Sequence, residues 1–438
     1  TTEIYTLSLH DALPISTSRR PFPMISLFLA AAVAAGPATA ATEHYDLRTR
    51  ALDPAEVAEI LEQLHAQLAD FFGKAPADRL QVELFADAAE FRRALERDGH
   101  PAVAAGGYYA PENRKVYLYA QPSAYFTRQL LLHEATHQFQ FLSSTGNRKP
   151  RTTWHVEGLA ELFGMHNWAG DRDSRLTKSG SPPSSPLAME PSGRLRCGVV
   201  PAVSLEDYPA KALAELREHA GQPDWLRRVL AGQIEASRPL SWALAHFLFH
   251  RDRSAFRDLV CRLDRDEDPL ESLQATFGAL TPTLLDDLCR WIGDHQQPWS
   301  VVWIEWQASG EAIEGSSQTL GLIVHKTPLD RLEAAIEPAG GRWKAGGVFG
   351  FQDESEFHLV ELSDSGSVRV IRRAGSQWQP VLTRRLTHPS RRFAIERRGA
   401  QWAVLVGEET ICTLDAPGKL GLYVDACRAR FSSITTAR

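Results

Sequence analysis

The stretch Leu130–Phe141, LLLHEATHQFQF, sets two histidines and a glutamate into an apolar run. Read as an α-helix, it places residues four apart on one face, so His133 and His137 aim two imidazoles at one point and Glu134 leans in beside them. Two imidazoles alone make an incomplete shell, because a catalytic Zn2+ takes three protein ligands and keeps one position open for water. The segment Thr152–Phe163, TTWHVEGLAELF, offers Thr152 or Thr153 as a helix cap, followed by Glu157 and Glu161 one turn apart. Nineteen residues lie between His137 and Glu157, enough for one helix to end, turn and run back beside the first. Glu157 is therefore the expected third ligand and Glu134 the expected general base. Glu161 is expected to support a ligand histidine or to make a capping contact. His166, Tyr108, Tyr109 and His155 are candidates for an oxyanion or substrate contact, although residues of these types are more often structural.

Taken together, the HExxH of His133, Glu134 and His137 and the later Trp154, Glu157, Gly158, Ala160 and Glu161 resemble the gluzincin metallopeptidases, and within them the peptidase-MA-like proteins. The likeness spans roughly residues 45–170. It implies a thermolysin-like α+β zincin domain, a Zn2+ cofactor completed by Glu157, and a peptide or protein substrate. One departure is Leu162, which stands where those proteins usually carry a tyrosine.

The residues around this motif read as a folded α+β unit. Asp53-Pro54-Ala55-Glu56 starts a helix whose apolar positions, Val57, Ile60, Leu61, Leu64, Leu68 and Phe71, recur until Gly73. Arg79–Asp87 alternates as a strand, Asp87 caps a short helix around Phe91, and Gly106–Ala120 reads as two strands about a Pro-Glu-Asn turn. That hairpin offers an edge strand to which an extended peptide could pair. Residues 170–198, rich in Ser, Pro and Gly, read as an exposed loop, and residues 204–292 return to helical periodicity. His246 and His250 are four apart with no acid between them, and read as packing.

Near Pro298 the texture changes to short alternating runs separated by turns, the pattern of an all-β sandwich. The runs GGVFGFQDESEFHLVEL, RFAIERRGAQWAVLVGEETICTL and GKLGLYVDACRARF resemble the concanavalin-like jelly-roll family. Trp343, Trp378 and Trp402 either stack on sugar rings or pack the core, and the Arg doublets from Arg372 to Arg398 read as solvated strand faces. The expected organisation is an adapter-derived segment at 1–16, a signal peptide at 17–40, a zinc metallopeptidase-like domain with a helical C-terminal lobe at 41–297, and a β-sandwich accessory domain at 298–438.

The signal reading rests on Arg19-Arg20, the apolar run from Met24, and the small-residue exit Ala38-Thr39-Ala40. It implies a secreted or periplasmic protein. A formal net charge of −6 argues against a nucleic-acid or anionic-membrane partner, and no later stretch is long and apolar enough to span a bilayer. Five cysteines are too few for a disulfide scaffold; the pairs nearest in sequence are Cys261 with Cys289 and Cys412 with Cys427. The rival to a hydrolase is a non-catalytic extracellular zinc-containing protein that uses its sandwich to bind carbohydrate or protein.

Overall fold

The computed structural model describes residues 37–103, 105–121, 124–145, 150–168, 195–199, 207–222, 224–278, 282–296, 298–303, 306–309, 312–317 and 320–437. The expected adapter-derived segment and nearly all of the expected signal peptide lie outside them. The chain forms two compact units, the main body of the second opening at Gln296.

In the first unit, strands β1 (Ala38–Ala41) and β2 (Tyr45–Thr49) pair antiparallel ahead of helix α1 (Pro54–Phe72). The Asp53 carboxylate accepts from the Ala55 N–H at 3.1 Å, and Gly73 ends the helix at φ 67°, a left-handed conformation that a side chain would disfavour. Strand β3 (Leu80–Phe85), helix α2 (Ala88–Arg97) capped by Asp87, and the hairpin β4 (Gly107–Ala110) with β5 (Lys115–Tyr119) follow. The sheet runs β1-β2-β3-β5-β4, with β2, β3 and β5 parallel and β4 an outer strand.

Helix α3 (Ala124–Gln140) carries the two histidines and continues into a π-helical turn, Phe141–Thr145. It is buried on every side, including positions that a surface helix would give to water. Its glutamine amides place their donors: Gln138 donates to the Gln81 and Arg114 carbonyls at 3.1 and 2.8 Å, and Gln140 donates to Asp264 at 2.8 Å. Helix α4 (Trp154–Gly164) carries Glu157 and Glu161. Strand β6 (His166–Trp168) then pairs with β7 (Leu195–Cys197), so the end of the segment expected to be loop is strand, and residues 169–194 lie outside those described.

A helical lobe completes the unit: α5 (Tyr208–Glu218), α6 (Trp225–Leu230), α7 (Arg238–Arg251), α8 (Arg253–Asp264), α9 (Pro269–Phe277) and α10 (Pro282–Asp294). No helix among the described residues is long and apolar enough to cross a membrane.

The second unit is a β-sandwich of two seven-stranded antiparallel sheets. Its strands are β8 (Trp299–Trp303), β9 (Trp306–Ser309), β10 (Ala312–Ser316), β11 (Leu320–His325), β12 (Arg331–Pro338), β13 (Lys344–Asp353), β14 (Glu356–Ser363), β15 (Ser367–Ala374), β16 (Gln377–Arg385), β17 (Arg392–Arg398), β18 (Gln401–Val406), β19 (Glu409–Leu414), β20 (Lys419–Asp425) and β21 (Arg428–Ala437). One sheet runs β19-β18-β17-β12-β21-β10-β9 and the other β16-β15-β14-β13-β20-β11-β8. Inward residues such as Trp306, Phe349, Ile395, Leu422 and Phe431 fill the space between them. The expected division into an α+β part and an all-β sandwich is what the chain shows.

All five cysteines are free thiols, which corrects both suggested disulfides. Cys412 lies on β19 and Cys427 immediately before β21, four strand steps away in one sheet. At about 4.8 Å per step that separation is far beyond a disulfide's reach. Cys261 and Cys289 lie on α8 and α10, two separate helices.

His246 on α7 is wholly buried with neither ring nitrogen hydrogen-bonded, packed against Trp242 at 4.9 Å and His250 at 5.5 Å between ring centroids. Burial first, then the neighbouring His250 and His295, hold it well below the usual imidazole range, with Glu161 opposing them. The unfolded chain therefore binds a proton below about pH 6.5 that the folded chain refuses, so stability is full above that pH and falls as the solution is acidified. Urea unfolding at pH 7 and pH 5 should show a His246→Phe variant gaining on the wild type by about 1.4 kcal/mol per pH unit below 6.5. An unchanged difference between the two proteins would contradict this account.

Candidate metal centre

The helical spacing of His133 and His137 does what geometry requires: their Nε2 atoms stand 3.0 Å apart on the buried face of α3. Glu157 on α4 faces both, with carboxylate oxygens 3.5 Å from His133 Nε2 and 3.5 Å from His137 Nε2. One donor atom from each residue falls within 4.8 Å of the others, the one such grouping among the described residues. Two imidazole nitrogens and a carboxylate oxygen are the donor set that suits Zn2+.

Burial, and then the Arg238 charge, lower both histidines, His137 to about 4. They are therefore neutral, the form that can ligate. His133 Nδ1 lies 3.0 Å from Glu161 Oε1, so the ring's outer nitrogen donates there and Nε2 is left with its lone pair toward Glu157. Glu161 has no exposed surface. Burial alone would raise it, yet Arg238 and His133 hold it down at about 2.

Glu134 is nearly buried and is pushed up to about 8, by burial first and then by Glu157. The Tyr109 N–H of β4 donates to it, and Gly107 on the same strand leaves it room. A Cβ on Gly107 would stand 2.8 Å from Glu134 Cγ. A cation held by the neighbouring ligands would favour the ionised form of Glu134.

The other candidates fare differently. His155 is wholly buried, 2.6 Å from Thr152 Oγ1 and 3.3 Å from Asp264, and its role is to join α4 to α8. His166 lies stacked on Tyr125, with Nδ1 donating to the Gly164 carbonyl at 2.8 Å. The Tyr108 ring packs with Phe91 and Leu95 of α2, its hydroxyl pushed up to about 12 by burial and nearby carboxylates. Tyr109 packs edge-on against Phe141 and contributes its backbone N–H to Glu134. The residue missing from the expected set is Arg238, the first residue of α7.

No family model and no curated protein matches the sequence. Among solved structures the chain is similar to a carbohydrate-binding module from Bacillus subtilis at 15% identity, covering 32% of this chain and 96% of that one with a TM-score of 0.29. It is similar to a Bacillus licheniformis β-glucanase at 10% identity, covering 32% and 92% with a TM-score of 0.25. A sheep galectin-11 matches at 14% identity, covering 28% and 95% with a TM-score of 0.20. The first is named a carbohydrate-binding module and the second a glucanase; none of the three is a zinc metallopeptidase, and with no family model matching the chain, the resemblance to gluzincin metallopeptidases is not borne out. The short motif specifies a donor set on two helices, and such a set recurs outside any one family.

Gly158 is what lets α4 and α7 approach: a Cβ there would stand 2.3 Å from the Ser241 carbonyl oxygen and 2.7 Å from Ala245 Cβ. Because the nearer atom belongs to the backbone, a Gly158→Ala variant must push the helices apart. Denaturant unfolding should show a loss of about 1–3 kcal/mol, against near neutrality if the helices were already loosely packed.

Proposed function

We propose that the first unit is a zinc-dependent hydrolase acting on acyl bonds of an extended substrate. The observation that carries this reading is the convergence of His133, His137 and Glu157 with Glu134 alongside. The residues fit the ion on two counts. Both imidazoles are held neutral, and Glu161 orients His133 from behind. A zinc ion held there would supply Lewis acidity toward a carbonyl and acidify water to a pKa near 7. Glu134 is suited to take the water's proton and return it to the leaving group. Strand β4 lies at the edge of its sheet beside Glu134, and supports main-chain pairing with an extended substrate. Export supports the same picture, since Arg19-Arg20 and the apolar run after Met24 are suited to carry the protein across a membrane.

The test is metal analysis with cleavage of a peptide mixture. Wild type should hold about one zinc per chain, Glu157→Ala should lose it, and Glu134→Gln should keep it while losing roughly 10^2–10^4-fold in rate. Full activity in Glu134→Gln would refute the reading.

A second reading concerns the sandwich. Of the three tryptophans that could stack on sugar, Trp343 and Trp402 are core, and the Trp402 indole donates to the Ala416 carbonyl at 2.7 Å. Trp378 on the outer strand β16 is 42% exposed, with the Arg373 guanidinium 4.8 Å from its ring centroid. We propose that this face binds carbohydrate. Trp378→Ala should abolish retention on a polysaccharide column and leave the melting temperature unchanged, whereas undiminished retention would remove Trp378 from any such site.

A further inference from the structure

Zinc ligands are held in register by the groups behind them, and here one of those groups comes from a third helix. Glu161 Oε1 is shared: His133 Nδ1 approaches it at 3.0 Å from α3, and Arg238 Nε donates to it from α7. Arg238 Nη2 lies 3.3 Å from the same His133 nitrogen, so carboxylate, imidazole and guanidinium meet at one corner. The carboxylate is fully buried, while about a quarter of the Arg238 side chain is exposed.

The helix surfaces explain why the corner forms. Gly158 and Glu161 are three apart on α4, and Arg238, Ser241 and Ala245 follow one another down a single face of α7. Gly158 meets Ser241 and Ala245 in close contact, which brings the next turn of each helix, Glu161 and Arg238, together. The start of α7 is itself fixed. Ser237 accepts from the Leu240 N–H at 3.2 Å and donates to Glu215 of α5.

We infer that Arg238 is a positioning residue of the metal centre, clamping Glu161 against His133 and thereby setting the grip on zinc from α7. The inference rests on the hydrolase reading for its metal and adds a contributor that donates no ligand. A planar guanidinium matches the task, because it can hold the carboxylate through one nitrogen while a second covers the imidazole edge. Lysine offers a single point charge and reproduces only part of that geometry.

The experiment measures zinc affinity by competition with a chromogenic chelator, together with the melting temperature of the metal-free chain, for wild type, Arg238→Met and Arg238→Lys. The expected result is a 10–100-fold weaker zinc dissociation constant in Arg238→Met, partly recovered in Arg238→Lys. Unchanged zinc affinity with a lower metal-free melting temperature would show a merely structural arginine and overturn the inference. Unchanged zinc affinity with a raised KM would make Arg238 a substrate contact and overturn it equally. Should Arg238→Met fail to fold, the Arg238→Lys affinity alone decides, with wild-type affinity counting against the clamp. A wild-type chain that takes up no zinc would sink the hydrolase reading and this inference with it, whereas a zinc-binding wild type matched by both variants sinks the inference alone.

Discussion

A carboxylate with no exposed surface, Glu161, ties three helices of the first unit together. Leaving such a group ionised and unpaired would cost several kcal/mol, so its presence is tolerable only because two partners reach it. One is the outer nitrogen of His133 on α3 and the other is Arg238 on α7. The pairing requires α4 to lie close to both helices, and the side-chain sizes allow it: Gly158 faces Ser241 and Ala245 on one side, and Gly164 sits near Gln129 and His133 on the other. Sterics and charge thus constrain the same arrangement. The close approach also buries apolar side chains of both helices, and the ion pair depends on it.

The burial of α3 raises a parallel difficulty, because HEATHQFQ would be a poor core sequence if its polar groups were unsatisfied. They find partners in separate places. Thr136 bonds back to the Leu132 carbonyl at 2.7 Å, Gln138 reaches two backbone carbonyls beneath the sheet, and Gln140 meets Asp264. Asp264 is also 3.3 Å from His155, so one carboxylate on α8 serves both α3 and α4. Some cost remains: His137 Nδ1 and the Gln138 and Gln140 Oε1 atoms have no hydrogen bond among the described residues, and Glu134 is raised by burial and Glu157 and relieved in part by the Arg238 charge and one backbone N–H. A departure of that kind inside an otherwise consistent core is expected at a working site.

Much of this was legible in the sequence where the signal is local. Asp53 and Gly73 bracket α1 because a cap and a left-handed glycine act within a few residues, and the alternation of Leu80, Val82 and Leu84 marks the buried face of β3. The donor set was legible too, since helical spacing fixes His133 against His137 and a second helix can present Glu157. Arg238 was not. It lies 81 residues beyond Glu157, and its signal, a stripe of Arg238, Ser241 and Ala245, is hidden in a run that reads only as apolar. The strand β7 was missed for a similar reason, because its partner β6 lies across a long Ser- and Pro-rich segment. The three tryptophans of the sandwich look alike as sequence, and only tertiary placement separates buried Trp343 and Trp402 from Trp378. The family resemblance failed because it rested on eight positions, whereas kinship is a property of the whole chain.

The two acids that flank the ligands show how one cavity can assign opposite roles to one residue type. Glu134 and Glu161 start from the same ordinary value and diverge, to about 8 and about 2. Burial raises both, so the difference comes from their partners. Glu161 has a guanidinium and an imidazole against it and is fixed as an anion, able to accept and to orient but unable to carry a proton. Glu134 has Glu157 for a neighbour, opposed by the more distant Arg238 charge and one backbone donor, which leaves it well above the usual carboxylate range. Arg238 acts on both acids, but of the two it contacts only Glu161, and its charge reaches Glu134 without a hydrogen bond. The position of one arginine on α7 therefore sets the charge balance of both acids, and the motif itself does not contain it.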